Sequence, residues 1–357
     1  MAYSGTVGNT VINVQTLIEH GARRCGKLAE ELTVEQVESS KESLFFLLSN
    51  LSNLGIQYWA ITKLVLGLSP DDYVYYLPNG AIDALNVNYR TMDRPTGTYS
   101  SSAGGSASNA FDADITTYCQ QSSSNGSISI NYGTTGGYYI GSIGFMPYIN
   151  GGGSATWNYV LEGSADGATW TTLYTGSSVT VTDSQWTWQD LDSGMQVNYY
   201  RMRATNNTTL ALRELFFGTN AREIPMSRLN RDDYANLPNK NFTANQPYQF
   251  WFNRTIPQPC INLWPTPDTN YVQMVVYYSR QIMDVGALTN QLEVPQRWYE
   301  ATIMMLAHRM SLELPQVPMD RIVYLEKLAE QYLNQAESEE RDKSPIYIAP
   351  NISGYTS

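Results

Sequence analysis

The chain has 357 residues, of which 42% are hydrophobic and 15% charged, and its formal net charge is -11. That is enough apolar material for two or three packed cores and too much for a disordered chain. The negative balance argues against a grip on nucleic acid through clustered Lys and Arg, and no stretch approaches the roughly 18 apolar residues of a membrane-spanning helix.

In chain order, the N-terminal stretch lacks the basic and apolar regions of a signal peptide. The three cysteines, Cys25, Cys119 and Cys260, are too scattered for a disulfide framework or a CxxC metal pair. Both features suit synthesis in a reducing cytosol. Asn13 stands where it caps a first helix, with Val14, Leu17, Ile18, Gly21, Cys25 and Leu28 on one face and Gly26 near its end. Thr33 and Gln36 have capping-box spacing for a second helix, which carries Val37, Leu44, Leu48 and Leu51 and stops at Gly55. Strand patterns follow over 61–66, 73–77 and 82–89, with a Pro78-Asn79-Gly80 turn between the last two.

From about residue 96 to 220 the chemistry changes: Gly, Ser, Thr, Asn and Tyr dominate, lysine is absent, and short alternating stretches are separated by turn residues. This pattern predicts a β-sandwich or barrel. From about 221 the sequence predicts a short helix over 227–236, strands over 249–253, 261–264 and 271–280, and a helix from Pro295 to Leu314. A last helix after Pro318 carries Ile322, Leu325, Ala329, Tyr332 and Ala336 as a stripe suited to a neighbouring helix. Neither flank closes a core alone. Residues 1–95 and 221–343 are therefore expected to fold together as one host, interrupted by a removable module at 96–220 and followed by an extended tail at 344–357. The fold class expected is α+β: a mostly helical domain with a small β portion, split by an all-β sandwich.

The strings Ser108-Asn109-Ala110-Phe111-Asp112-Ala113-Asp114, Tyr159-Val160-Leu161-Glu162-Gly163-Ser164 through Trp170, Tyr200-Arg201-Met202-Arg203 and Leu212-Arg213-Glu214-Leu215-Phe216-Phe217-Gly218 stand in one order across the inserted segment. Through them the segment resembles the discoidin family, the coagulation-factor type C jelly-roll sandwich. Ala113 replaces a usual Gly and Cys119 a usual Trp. The resemblance implies a structural calcium, with Asp112, Asp114, Thr117 and Glu214 as its candidate ligands. No other cofactor is implied.

The flanks resemble the head-to-tail adaptor, or connector, of short-tailed bacteriophages. The matching strings are Ala22-Arg23-Arg24-Cys25-Gly26, Asn53-Leu54-Gly55 through Trp59, Asp72-Tyr73-Val74-Tyr75-Tyr76-Leu77-Pro78, Asp232-Asp233-Tyr234 through Lys240, Leu263-Trp264-Pro265-Thr266-Pro267 and Val294-Pro295-Gln296-Arg297-Trp298. That resemblance implies a structural virion protein at the head–tail junction, assembled in the host bacterial cytoplasm as a ring of about twelve copies. Its partners would be the portal, tail or nozzle proteins, and passing DNA touched without sequence-specific contact; a membrane is not among them. Ile346, Tyr347, Ile348, Ile352 and Tyr355 are too apolar for a casual solvated end, and the family's C-terminal extensions reach into the portal ring, so these five are the portal-contact candidates.

No catalytic residue is expected. His20 and His308 have no carboxylate or cysteine partner at useful spacing, and no phosphate loop, nucleophile elbow, zinc-protease helix or dinucleotide fingerprint occurs. Trp157, Trp170, Trp186 and Trp188 are candidates for a sugar-stacking platform, of which Trp170 reads as core. Trp157, beside the Gly151–Gly153 loop, and Tyr148 are the better candidates for surface or glycan contact. The alternative to the adaptor is therefore a carbohydrate-binding protein whose flanks only oligomerise it.

Overall fold

The computed structural model describes residues 12–53, 58–133, 137–191 and 195–340. Gly55 and the five portal-contact candidates lie outside them. Two compact units divide the chain, one made of Met1–Ile61 with Ser279–Ser357 and the other of Thr62–Tyr278.

The first unit is helical and draws on both ends of the sequence. The side chain of Asn13 accepts from the Thr16 amide to start α1 (Val14–Cys25), and Gly26 ends it in the left-handed region at φ 87°. Thr33 and Gln36 close a reciprocal capping box at the start of α2 (Val34–Leu51). The five-residue α3 (Arg231–Ala235) falls within the second unit; in the first, after Gln296–Trp298, a turn of 3-10 helix, come α4 (Tyr299–Glu313) and α5 (Met319–Glu339). Helices α1, α2 and α5 pack on α4, burying Leu17, Ile18, Leu44, Leu48, Leu306 and Met310 in one core. Burial on all sides explains why α4 is apolar nearly all round.

The second unit is β-rich. Its flanking strands are β1 (Ile61–Gly67), β2 (Val74–Tyr76) and β3 (Ala81–Asp93). The inserted segment supplies β4 (Thr98–Ser101), β5 (Cys119–Gln120), β6 (Ser127–Asn131), β7 (Tyr138–Pro147), β8 (Ser154–Ser164), β9 (Thr171–Thr182), β10 (Thr187–Asp190), β11 (Gln196–Val197) and β12 (Tyr199–Ala204). The long β13 (Ala211–Pro225) leads out of it. Then come β14 (Ser227–Leu229), β15 (Thr243–Ala244), β16 (Gln249–Asn253), β17 (Cys260–Trp264), β18 (Thr266–Pro267) and β19 (Val272–Arg280).

A five-stranded sheet, β4-β6-β12-β8-β9, faces part of an eight-stranded one of order β1-β19-β3-β13-β7-β10, to which β5 and β11 attach. Alternation sends Ile128, Ile130, Tyr159, Leu161, Tyr200 and Met202 of the first sheet against Ile143, Phe145, Leu215 and Phe217 of the second. The inserted segment is thus a β-sandwich. A second core gathers Leu68, Leu77, Val87, Tyr89, Phe250, Leu263, Met274 and Val276 from the flanking strands, which include the four-stranded sheet β14-β16-β17-β2.

Three expectations change. The described residues are not mostly helical, because strands hold 38% of them and helices 26%. The β-branched and aromatic alternation in both flanks builds a β core of its own rather than a small appendage to the helices. Over 227–236 only Arg231–Ala235 is helical, capped by Asn230, while Ser227–Leu229 pairs in parallel with β16. The divisions at 95/96 and 220/221 do not coincide with the two compact units either. Strand β13 crosses the second of them: Leu215↔Phe145 and Phe217↔Ile143 pair it with the sandwich, and Arg222↔Thr91 and Ile224↔Tyr89 pair it with β3. One sheet therefore runs through insert and flank alike.

Trp188 locks that sheet. Its indole fills a slot between two glycines, because a Cβ on Gly67 would meet Nε1 at 1.9 Å and one on Gly144 would meet Cζ3 at 2.5 Å. Gly144 is the residue opposite Trp188 across the β7–β10 pair. Gly144→Ala is accordingly expected to destabilise this unit by about 1–3 kcal/mol, as overpacking does. A urea midpoint equal to that of the unmodified protein would show the slot to be loose.

Candidate functional site

The Asp loop of the sandwich follows a short 3-10 turn, Ala107–Ala110, and folds through local acceptor chemistry. Asp112 Oδ1 accepts from the Asp114 amide at 2.9 Å, which lets Ala113 take a left-handed φ of 66° where glycine would be easier. The carboxylate of Asp114 turns instead to Thr116, accepting from its amide at 2.9 Å and its hydroxyl at 2.6 Å, and these bonds hold its carboxyl below the ordinary range. Around the Thr117 hydroxyl stand Asp112 Oδ2 at 2.8 Å, the Asp114 carbonyl at 3.2 Å and the Asn109 carbonyl at 3.3 Å. One hydroxyl has a single proton to offer these three acceptors.

Glu214 reaches this region from β13. It is 0% exposed. Its Oε2 lies 3.1 Å from an Arg94 nitrogen, while its Oε1 is buried without a hydrogen-bond partner. Burial pushes its carboxyl up to about 7; Arg94 opposes that rise and the nearby Asp112 carboxylate adds to it. Among the described residues no group of three or more His, Cys, Asp or Glu side chains gathers as a metal site. The set here is two carboxylates, Asp112 and Glu214, with the Thr117 hydroxyl and two carbonyls. An all-oxygen set with an unsatisfied buried carboxylate oxygen suits a hard divalent cation. The Asp114 carbonyl faces the Thr117 hydroxyl in this set, while its side chain is turned to Thr116.

The two surface-contact candidates separate. Tyr148 is half-buried and stacks on the exposed Tyr118 with ring centroids 3.8 Å apart. The Arg213 guanidinium covers Tyr148 at 4.9 Å and donates to the Ile115 carbonyl at 3.0 Å. Trp157 is core: it is 6% exposed and stacks on Phe145 at 6.1 Å. Its position in β8 shares parity with the inward Tyr159 and Leu161, so it points inward with them. Trp170, expected in the core, is half-buried and carries the Arg201 guanidinium 3.8 Å above its ring.

Trp186 and Trp188, which the sequence offers as part of a stacking platform but ranks below Trp157 and Tyr148, form an aromatic surface. Their rings stack at 5.0 Å, and Trp186 meets Tyr271 edge-on at 5.5 Å. The Trp-Thr-Trp spacing that puts both indoles on one side of an extended segment is visible in the sequence. Two of the residues that complete the surface, Gly67 and Tyr271, lie more than eighty positions away.

No family model matches the chain, and no curated relative does. Solved structures similar to it include three carbohydrate-binding modules. A chitosan-binding module of a Paenibacillus chitosanase/glucanase is 21% identical, over 35% of this chain and 98% of that one, at a TM-score of 0.29. The family 32 module of Clostridium perfringens NanJ, solved with galactose, is 19% identical over 33% and 90%, at 0.28. A family 62 module from Clostridium thermocellum Xyl5A is 23% identical over 36% and 97%, at 0.31.

Proposed function

We propose that this chain is a non-catalytic assembly protein whose helical unit self-associates into a ring, in the manner of the phage head-to-tail adaptor that the flanking sequence resembles. The observation that carries this reading is the apolar surface left on the helices. Phe45 and Phe46 stand out from α2, with Phe46 59% exposed, and Leu312, Met319, Val323 and Tyr324 stand out from the end of α4 and the start of α5, with Met319 72% exposed. Met319 and Val323 are one helical turn apart and share a face. Two unlike patches on one unit suit a head-to-tail contact between copies, which closes into a ring. In that assembly the ring would sit between portal and tail, continue the DNA channel, and use the 344–357 tail to hold the portal.

Sedimentation of the purified chain is expected to give a closed multimer, and Phe46→Glu and Val323→Glu are each expected to shift it to monomer with the helical signal kept. Monomer at tens of micromolar for the unmodified chain would overturn the reading.

A cation at Asp112, Thr117 and Glu214 belongs to the same proposal as a structural cross-link, tying the Asp loop to β13. Chelator is expected to lower the melting temperature of the full chain by about 5–10 °C, with added calcium restoring it. Glu214→Gln should remove that response. Superimposable melts with and without chelator would rule the cation out.

The second reading, a carbohydrate-binding protein, is favoured by one observation, the paired indoles of Trp186 and Trp188 lining a cleft.

A further inference from the structure

A cleft of about 620 Å³ lies where the sandwich meets the flanking strands inside the β-rich unit, within the range of small-ligand sites, roughly 300–1,000 Å³. Trp186, Trp188 and Gln185 line it from the sandwich; Gly67, Asp72 and Asn270 line it from the flanks. Three features define its chemistry. The two half-buried indoles form a stacked pair, and each holds a buried Nε1–H with no hydrogen-bond partner. Asp72 bears the one charge among the lining side chains, and Lys and Arg do not line the cleft. The amides of Gln185 and Asn270 add donors and acceptors at the rim.

We infer that this cleft is a composite binding site for a neutral glycan. The inference rests on the carbohydrate-binding reading above and gives it a place and a ligand class. A pyranose ring offers an apolar face of C–H groups, which packs on an indole, and a rim of hydroxyls. The hydroxyls of that rim accept from the amide nitrogens of Gln185 and Asn270, and their protons go to the Asp72 carboxylate and the amide oxygens. A uronate, a sialic acid or a phosphorylated sugar would bring its negative charge against Asp72 with no cation to receive it, so the site discriminates by charge. Gly67 belongs to the site because it admits the Trp188 indole, whose Nε1 lies over it. Since Asp72 and Asn270 come from outside the sandwich, its 96–220 segment does not hold the site by itself.

The test uses the full chain, titrated with galactose, hexa-N-acetylchitohexaose, cellohexaose and mannohexaose, with polygalacturonate as the anionic arm. Tryptophan fluorescence and calorimetry provide the readouts. At least one neutral sugar is expected to bind saturably and polygalacturonate not to bind. Trp186→Ala should weaken the interaction about tenfold or more, and the rim variants Gln185→Ala and Asn270→Ala about fivefold, with unchanged melting temperature. The rim variants keep the test sound if Trp186→Ala misfolds. Binding that survives both Asn270→Ala and Gln185→Ala at full strength would put the sugar elsewhere, sinking this site while the carbohydrate-binding reading stands. If none of the four neutral sugars binds, site and reading fail together. Polygalacturonate bound as tightly as the neutral sugars, and lost in the same variants, would overturn the ligand class.

Discussion

Replacing residues 97–219 with a short Gly/Ser linker is expected to unfold the whole β-rich unit while the helices stay folded. From composition alone the segment looks like a removable guest, and loop-closure entropy would not oppose its excision. The strand pairing does. The cut removes β7, β10 and the first part of β13, and leaves β3 and β19 as remnants of an eight-stranded sheet. Trp188 leaves its slot at Gly67, and Gln273, fully buried, loses the Ser142 hydroxyl to which it donates at 2.9 Å. Arg94 loses Glu214, and Arg90 and Lys63 lose Asp190. Buried groups without partners and a newly exposed sheet edge are the two ordinary causes of collapse and aggregation. The helical unit keeps its own core, drawn from 14–51 and 282–336. Limited proteolysis should therefore spare the helices and digest 62–96 and 220–278, with the 222 nm signal retained. A soluble product whose remaining β segments resist protease would show the sandwich to be separable after all.

How far the fold could be read in advance depended on the range of the interaction. The caps at Asn13, Gly26 and Thr33/Gln36 are contacts among residues three or four apart, and the structure makes them as the sequence implied. The inserted sandwich was legible because its alternation is local too. The division between units was not, because the Gly, Ser and Tyr bias of 96–220 reports what its surface is made of, whereas the unit boundary reports which strands pair. The pairing of β13 with β3 joins residues more than a hundred positions apart and leaves no local trace. The same holds for the sites. Asp112 and Thr117 are near neighbours and meet, and Glu214 arrives on β13 beside them. Trp157 was misread for want of a parity argument: two and four residues on, Tyr159 and Leu161 point into the core, so Trp157 does as well.

Arg90→Ala is expected to destabilise the β-rich unit by about 3–5 kcal/mol, the cost of breaking a buried ion pair from one side. Arg90 is 5% exposed. Its guanidinium holds Asp190 Oδ1 at 2.5 Å and Glu223 Oε1 through two nitrogens at 2.6 and 3.1 Å, so it ties β3 to β10 of the sandwich and to β13 at once. Lys63 also reaches Asp190, at 2.5 Å, and its charge acts on Glu223, but a single ammonium cannot reproduce the guanidinium fork. Truncation would leave two carboxylates sharing one ammonium group. The pH dependence separates this account from a mere loss of packing. Burial raises the Glu223 carboxyl, but the hydrogen bonds from Arg90 and Asn88 and the charges of Arg90 and Lys63 outweigh it and hold the group below its ordinary range. A carboxyl depressed in the folded state contributes stability above its unfolded pKa and loses it as pH falls through the folded value. The unmodified protein should therefore lose this contribution on acidification, whereas Arg90→Ala has only the smaller part supplied by Asn88 and Lys63 to lose. The gap between their urea unfolding free energies should be widest near pH 7 and narrow as the carboxyls protonate below about pH 4. Arg90→Lys, with one point charge in place of a fork, should fall between them. A gap that stays constant from pH 7 to pH 4 would assign the loss to packing of the side-chain stem and leave the charge network without a stabilising role.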